Sequence, residues 1–252
     1  NSVAAGMLSK AVDEWHAAPA AAKPFEAASL YDMRRTIDTV SRRWSATFSI
    51  GHSSTQAAAG TGLAASGGDL RVVQIGGEIA YTPERFGYRD ERLFQLYASA
   101  YQAVSANDEG YAVGADSRIA GLGARYKPLR EHNLVLAFER RFALGDRAGE
   151  DDWLLRAGWS AGRGTEWDPA RDSWRTWQAY TESAYFIDAG RLVQPFEARI
   201  GRSWKLPQWH GTVLTPYLAL AGEYDDAQAP KMAAGVGPGV ALRYWFGETR
   251  HR

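Results

Sequence analysis

The sequence predicts an all-β fold: an antiparallel transmembrane β-barrel of about 10–12 strands preceded by a short α-helical segment. Three observations predict it. Strand-length runs alternate apolar with polar or charged side chains again and again, turn residues separate the runs, and no stretch approaches the roughly 20 apolar residues of a membrane-spanning helix. In Phe94 to Tyr101, Phe94, Leu96, Ala98 and Ala100 share one side while Gln95, Tyr97, Ser99 and Tyr101 share the other. A sheet can repeat such two-faced strands many times only if each face meets its own solvent, and lipid outside with water inside satisfies both.

The chain opens in a different rhythm. Met7, Leu8, Ala11, Val12 and Trp15, then Leu30, Met33, Ile37 and Val40, recur at helical spacing in Ala-rich sequence. Pro19 and Pro24 separate the two helices. Residues 1–40 are therefore read as a helical segment, the end of a periplasmic helical region, and residues 41–252 as the barrel domain. Near Ser41 the period falls to two, and Trp44, Ala46, Phe48 and Ile50 alternate with Ser45, Thr47, Ser49 and Gly51. The alternation then recurs. Ile75, Gly77, Ile79 and Tyr81 oppose Gln74, Gly76, Glu78 and Ala80, and Ala120, Leu122, Ala124 and Tyr126 oppose Gly121, Gly123 and Arg125. Leu134, Leu136 and Phe138 oppose Ala137, Glu139 and Arg141; Trp153, Leu155, Ala157 and Trp159 oppose Arg156 and Gly158. Phe196, Ala198 and Ile200 oppose Glu197, Arg199 and Gly201, and Val240, Leu242 and Tyr244 oppose Ala241 and Arg243. Residues 174–187 and 212–223 mix the faces.

Gly, Asp, Asn and Pro fill the connections. Residues 54–68 and 162–173 read as long loops and 187–191 as a tight turn, without the regular long–short alternation that would tell one end of a barrel from the other. The 10 Trp, 12 Tyr and 9 Phe suit either interfacial girdles or a protein core. Charge is balanced, with 29 basic and 29 acidic residues, which gives no reason to expect nucleic acid as a partner. The absence of Cys removes disulfides and thiolate chemistry.

If the apolar parity meets lipid, the opposite parity turns Glu78, Arg125, Glu139, Arg141, Arg156, Glu182, Glu197, Arg199, Glu223 and Arg243 inward, together with Tyr97, Tyr101 and Tyr180. Both signs are present, so these residues either line a hydrated route or brace a narrow barrel with ion pairs. Carboxylates, guanidinium groups and Tyr rings suit a sugar polymer. No metal site or cofactor is expected: His16, His52, His132, His210 and His251 lack the i, i+4 spacing of a helical metal site. Gly158-Trp159-Ser160-Ala161-Gly162 has the G-x-S-x-G spacing but continues an alternating strand run rather than a strand-to-helix turn, and Gly235-Val236-Gly237-Pro238-Gly239 is a glycine-softened strand rather than a phosphate loop. The chain is accordingly expected not to be an enzyme. Two alternatives remain, a membrane-embedded lipid acyl hydrolase with a Ser–His pair near the membrane interface, and a plugged structural or adhesin barrel.

Several blocks carry a resemblance. Gly123 to Ala137 (GARYKPLREHNLVLA), Glu139-Arg140, Asp152 to Gly158 (DWLLRAG), Trp174 to Tyr185 (WRTWQAYTESAY) and Gly235 to Phe246 (GVGPGVALRYWF) resemble the C-terminal domain of the NfrA-type bacteriophage adsorption protein A family. The similarity spans most of residues 70–247. It implies a periplasmic helical-repeat region ahead of an outer-membrane barrel that serves as a conduit for exopolysaccharide export. An inner-membrane glycosyltransferase and a phage tail protein would then be partners, beside the polysaccharide itself and outer-membrane lipid. Residues 1–40 resemble the end of such a repeat region in character. Family members continue past the point matching Arg252, so the closing strand is expected to be missing, with edges at 43–51 and 235–246 that either meet or pair with another chain.

Overall fold

A computed structural model of the chain describes residues 2–53, 72–107, 110, 112–146, 149, 151–209 and 211–245. The expected helices are α1 (Ser2–Ala17) and α2 (Ala27–Ser41), joined through a 3₁₀ turn at Ala20–Ala22 between the two prolines. They form a hairpin with its own small core, in which Val12, Leu30 and Ile37 are buried among Leu8, Trp15, Phe25 and Met33. Met7, expected on the apolar face, is 70% exposed because it lies at the margin of the stripe that meets α2. Lys23 closes the C-terminus of α1. Its Nζ donates to the carbonyls of Trp15 and Ala18 at 2.7 Å and lies 4.2 Å from the Trp15 ring centre, a cation placed where orphan helix carbonyls and the dipole favour one.

Beyond the helices the described residues form one antiparallel sheet of eleven strands: β1 (Trp44–Ser53), β2 (Val72–Tyr81), β3 (Tyr88–Arg89), β4 (Arg92–Ala106), β5 (Ile119–Lys127), β6 (Asn133–Ala143), β7 (Asp152–Arg163), β8 (Ser173–Phe186), β9 (Arg191–Lys205), β10 (Thr212–Asp225) and β11 (Met232–Tyr244). Every long strand pairs with the next in sequence, and only the two-residue β3 stands off this path, paired with β4. The register follows the alternation. Trp44↔Tyr81 through Ser53↔Val72 is unbroken, and a single shift at Val73/Gln74 marks a bulge between β2 and β4.

Burial is inverted relative to a water-soluble sheet. Leu96, Leu122, Leu136, Trp153, Leu155, Trp159 and Leu242 are all exposed, whereas Gln74, Ser99, Glu139, Asp152 and Ser203 on the opposite parity are buried. The exposed face is also ordered along its height. Trp44, Tyr81, Tyr126, Trp159, Trp177, Trp204 and Tyr244 project outward near the strand ends that lie toward α2, and Phe138, Trp153, Tyr185 and Tyr224 near the other ends. Between these levels the outward parity of the described strands is uncharged apart from Arg202, which lies over the Trp204 ring at the α2-side level and donates to Ser173. Arg140, at the far level, pairs with Asp151 and Asp188 and lies over Trp153.

The sheet curls toward its polar face. The Thr165 carbonyl, two residues beyond β7, accepts a hydrogen bond from Arg243 of β11. Those strands stand four spacings apart, about 19 Å in a flat sheet, whereas two residues of chain reach only about 7 Å. Closure, however, is not seen. Among the described residues β1 pairs only with β2 and β11 only with β10, so the fold shown is an open, curled antiparallel sheet where a barrel was expected. The expected loop at 54–68 lies outside the described residues, as do His210, His251 and Phe246.

The mixed faces of residues 174–187 and 212–223 have a local cause. Inside the curl, Leu154, Ala184 and Phe186 pack together with Val193 at the ends away from α2, and Val213 is buried on the same side. Apolar residues inside as well as outside erase the alternation there.

Candidate functional site: the polar inner face

Several inner-face charges are held in ion pairs, across the sheet or along one strand. Glu78 on β2 meets Arg125 on β5 at 2.8 Å, while Arg125 Nε donates to Gln95 Oε1 at 2.8 Å and Gln95 Nε2 donates in turn to Thr82. Arg156 on β7 grips Glu182 on β8 with both arms, Nε to Oε1 at 2.8 Å and Nη2 to Oε2 at 2.9 Å, and Tyr180 donates its hydroxyl to the same carboxylate at 2.8 Å. Such planar bidentate pairing fixes both side chains. Arg199 bonds Glu197, two residues back on β9 and therefore on the same face.

Glycines make the room these side chains occupy. A Cβ at Gly121 would stand 2.8 Å from the Glu139 carboxyl, one at Gly123 would stand 2.6 Å from the Tyr97 ring, and one at Gly76 would stand 2.2 Å from the Tyr101 ring. Tyr217 lies on Gly239 in the same way. Tyr97 is buried with Arg125 over its ring at 5.3 Å and lines the smaller of two openings. Tyr180, half-buried, reaches the larger.

Two openings follow the inner face. One of about 720 Å³ lies toward the α2 end and is lined by Glu131, His132, Asn133, Ser160, Thr165, Gln178, Tyr180, Glu197 and Arg199, among others. A smaller one of about 150 Å³ continues inward past Tyr97, Arg125, Arg156 and Glu182. The remaining predicted residues are spread along the wall. Arg141 stacks on Phe186 at 5.4 Å, Glu223 faces inward near the far end, and Arg243 is drawn to the Thr165 carbonyl. Glu78, Tyr97, Tyr101, Arg125, Glu139, Arg141, Arg156, Glu182, Glu197, Arg199 and Arg243 thus share one face, but no single chamber contains them all.

Three inner residues were missed. Asp152 accepts backbone N–H bonds from Asp188 and Ala189, tying the β8–β9 turn to β7, and Arg191 pairs with Asp225 through Nε at 2.9 Å. Continuing the even parity of Arg156 back two turns of the pleat reaches Asp152, so a signal was present at the strand end.

Ser160 bears on a possible hydrolase. Its Oγ accepts from Asn133 Nδ2 at 2.5 Å and it shares the larger cavity with His132, but it has the inward parity, away from the face that would meet lipid.

No solved structure matches the chain. The bacteriophage adsorption protein A of Escherichia coli (strain K12) is 29% identical over 234 residues, covering 88% of this chain and 23% of that protein. The chain thus spans about a quarter of the length of that relative. The family described as bacteriophage N adsorption protein A C-term matches residues 110–252, which take in everything from the loop before β5 to the last strand. The chain therefore belongs to the bacteriophage adsorption protein A C-terminal family.

Proposed function

We propose that this chain is the membrane-embedded part of a bacterial outer-membrane protein, serving as a conduit for exported exopolysaccharide and as an attachment surface for a phage tail protein. The observation that carries the membrane placement is the inverted sheet, with a largely apolar outward face between two aromatic levels and ion pairs inside. The phage role rests on the printed name of the relative. Residues 1–40 would stand in the periplasm and residues 41–252 would form the barrel.

This reading orients the molecule. α2 leads directly into β1, and β11 ends on the same side, so the connections 107–118, 144–151, 187–190 and 226–231 gather at the opposite end. With the helices in the periplasm, those connections face outward and are where a phage would attach. The polymer would come from an inner-membrane glycosyltransferase and cross along the polar face, whose carboxylates, guanidinium groups and hydroxyls can exchange hydrogen bonds with sugar hydroxyls. A lipid acyl hydrolase is less well supported, because Ser160 has inward parity.

The test uses the full-length protein in planar bilayers and a host strain that exports the polymer. An open pore, together with loss of polymer and of phage adsorption on deleting the protein, supports the reading. A folded protein that passes no ions favours the plugged barrel, and unchanged polymer export in the deletion strain removes the conduit role.

A further inference from the structure

Residues 164–172 connect β7 to β8 on the α2 side, where the neighbouring connections 128–132 and 206–211 are shorter. They do not extend away from the sheet. Gly164, at φ +72, turns the chain where a Cβ would strike the Arg175 carbonyl at 2.3 Å, and buried Trp174 donates its indole N–H to the Gly164 carbonyl at 2.8 Å. From there the segment passes beneath the polar face. Thr165 accepts from Arg243 on β11, Trp167 packs edge-on against Trp245 with ring centres 5.7 Å apart, and Lys205 on β9 lies 4.8 Å over the Trp167 ring while donating to the Pro169 carbonyl at 3.3 Å. Asp168 stiffens the bend by accepting from the Ala170 N–H at 2.9 Å.

One further contact leaves the sheet altogether. Glu166 meets Arg35 of α2 at 3.0 Å, and both side chains are more than half exposed. Exposed ion pairs of this kind are weak. The segment therefore has firm anchors on β8, β9 and β11 and a loose one on the helical hairpin, and Thr165 lies at the edge of the 720 Å³ cavity.

Resting on the conduit reading, we propose that residues 164–172 are an internal constriction that sets the size of solute able to pass the helix-side mouth, and that α2 holds it closed through Arg35–Glu166. A movement of the periplasmic helices would then be transmitted to the mouth through one weak contact.

The experiment compares full-length wild-type protein with a variant in which Glu166–Ala170 is replaced by Gly-Gly, using single-channel conductance and exclusion of graded polyethylene glycols in bilayers. Equal folded fractions are established by heat-modifiable migration on gels. The shortened loop should raise conductance at least twofold and admit larger glycols. Arg35→Glu should lengthen open periods, and Arg35→Glu/Glu166→Arg should restore them. Identical conductance and size cut-off in wild-type and shortened-loop proteins would overturn the constriction while leaving the conduit intact. Lack of response to the Arg35 substitution, with the loop effect present, would overturn the coupling to α2. If neither protein passes any ion, the conduit reading falls and the constriction falls with it.

Discussion

At Gly123 a single missing side chain decides how the inner wall packs. Gly123→Ala places a Cβ at 2.6 Å from the Tyr97 ring and 2.7 Å from the Phe138 carbonyl, and neither neighbour can yield freely, because Tyr97 lies under Arg125 and the carbonyl belongs to the ladder. The expected loss is about 1–3 kcal/mol, of the size seen on overpacking. Gly158→Ala meets nothing nearer than 3.5 Å and should cost less than half as much, so urea unfolding of the two variants in liposomes is a direct comparison. A second expectation concerns Arg156 and Glu182, whose side chains are 25% and 12% exposed. Arg156→Gln leaves a largely buried carboxylate without its bidentate partner, at a cost of about 2 kcal/mol after allowance for lumen water. The double variant with Glu182→Gln should lose less than the sum of the two single changes, by about 1 kcal/mol or more in a double-mutant cycle.

The strands that the sequence shows most plainly, β4, β5, β6 and β7, are those in which the polar parity faces a polar interior and the apolar parity faces outward. Period-2 reading then needs no knowledge of partners. β8 and β10 were blurred because Trp174, Ala184, Phe186 and Val213 put apolar groups on the inner parity as well. The charged inner face was legible by the same parity, but Asp152 and Arg191 sit beside turns, where parity has no run to belong to. The inward path of residues 164–172 could not be read at all, since it is set by contacts such as Arg243 to Thr165, 78 residues apart in sequence. One short element invites a test of its own. The β3–β4 hairpin turns through Asp90 and Glu91 at φ 53° and 59°, the left-handed pair of a two-residue hairpin turn, without the glycine such a turn favours. Glu91→Gly should relieve strain and raise stability by about 0.5–1 kcal/mol, read as a higher unfolding midpoint, while Asp90 keeps its ion pair with Arg130.

At the scale of the whole molecule, a curled sheet exposes apolar side chains on one face and holds ion pairs on the other, and the proposed function places lipid against the apolar one. Adjacent residues on β10 expose that difference. Leu220→Lys puts a charge on the outward face and should impair folding into bilayers by about 2–4 kcal/mol if it lies near the midplane. Ala221→Lys puts the same charge inside, opposite Glu197, and should be tolerated. Among the described residues β1 does not pair with β11. The most direct measurement exploits the Cys-free sequence. Single cysteines at Leu136 and Ala137, neighbours of opposite parity on β6, are labelled with an environment-sensitive fluorophore in the full-length protein, with any cysteine outside these 252 residues replaced by serine, and reconstituted into liposomes. Quenching of the probe at 136 by brominated lipid and not by iodide, with the reverse at 137, is the predicted result. Iodide quenching at 136 with none from brominated lipid would contradict the membrane placement of the entire sheet.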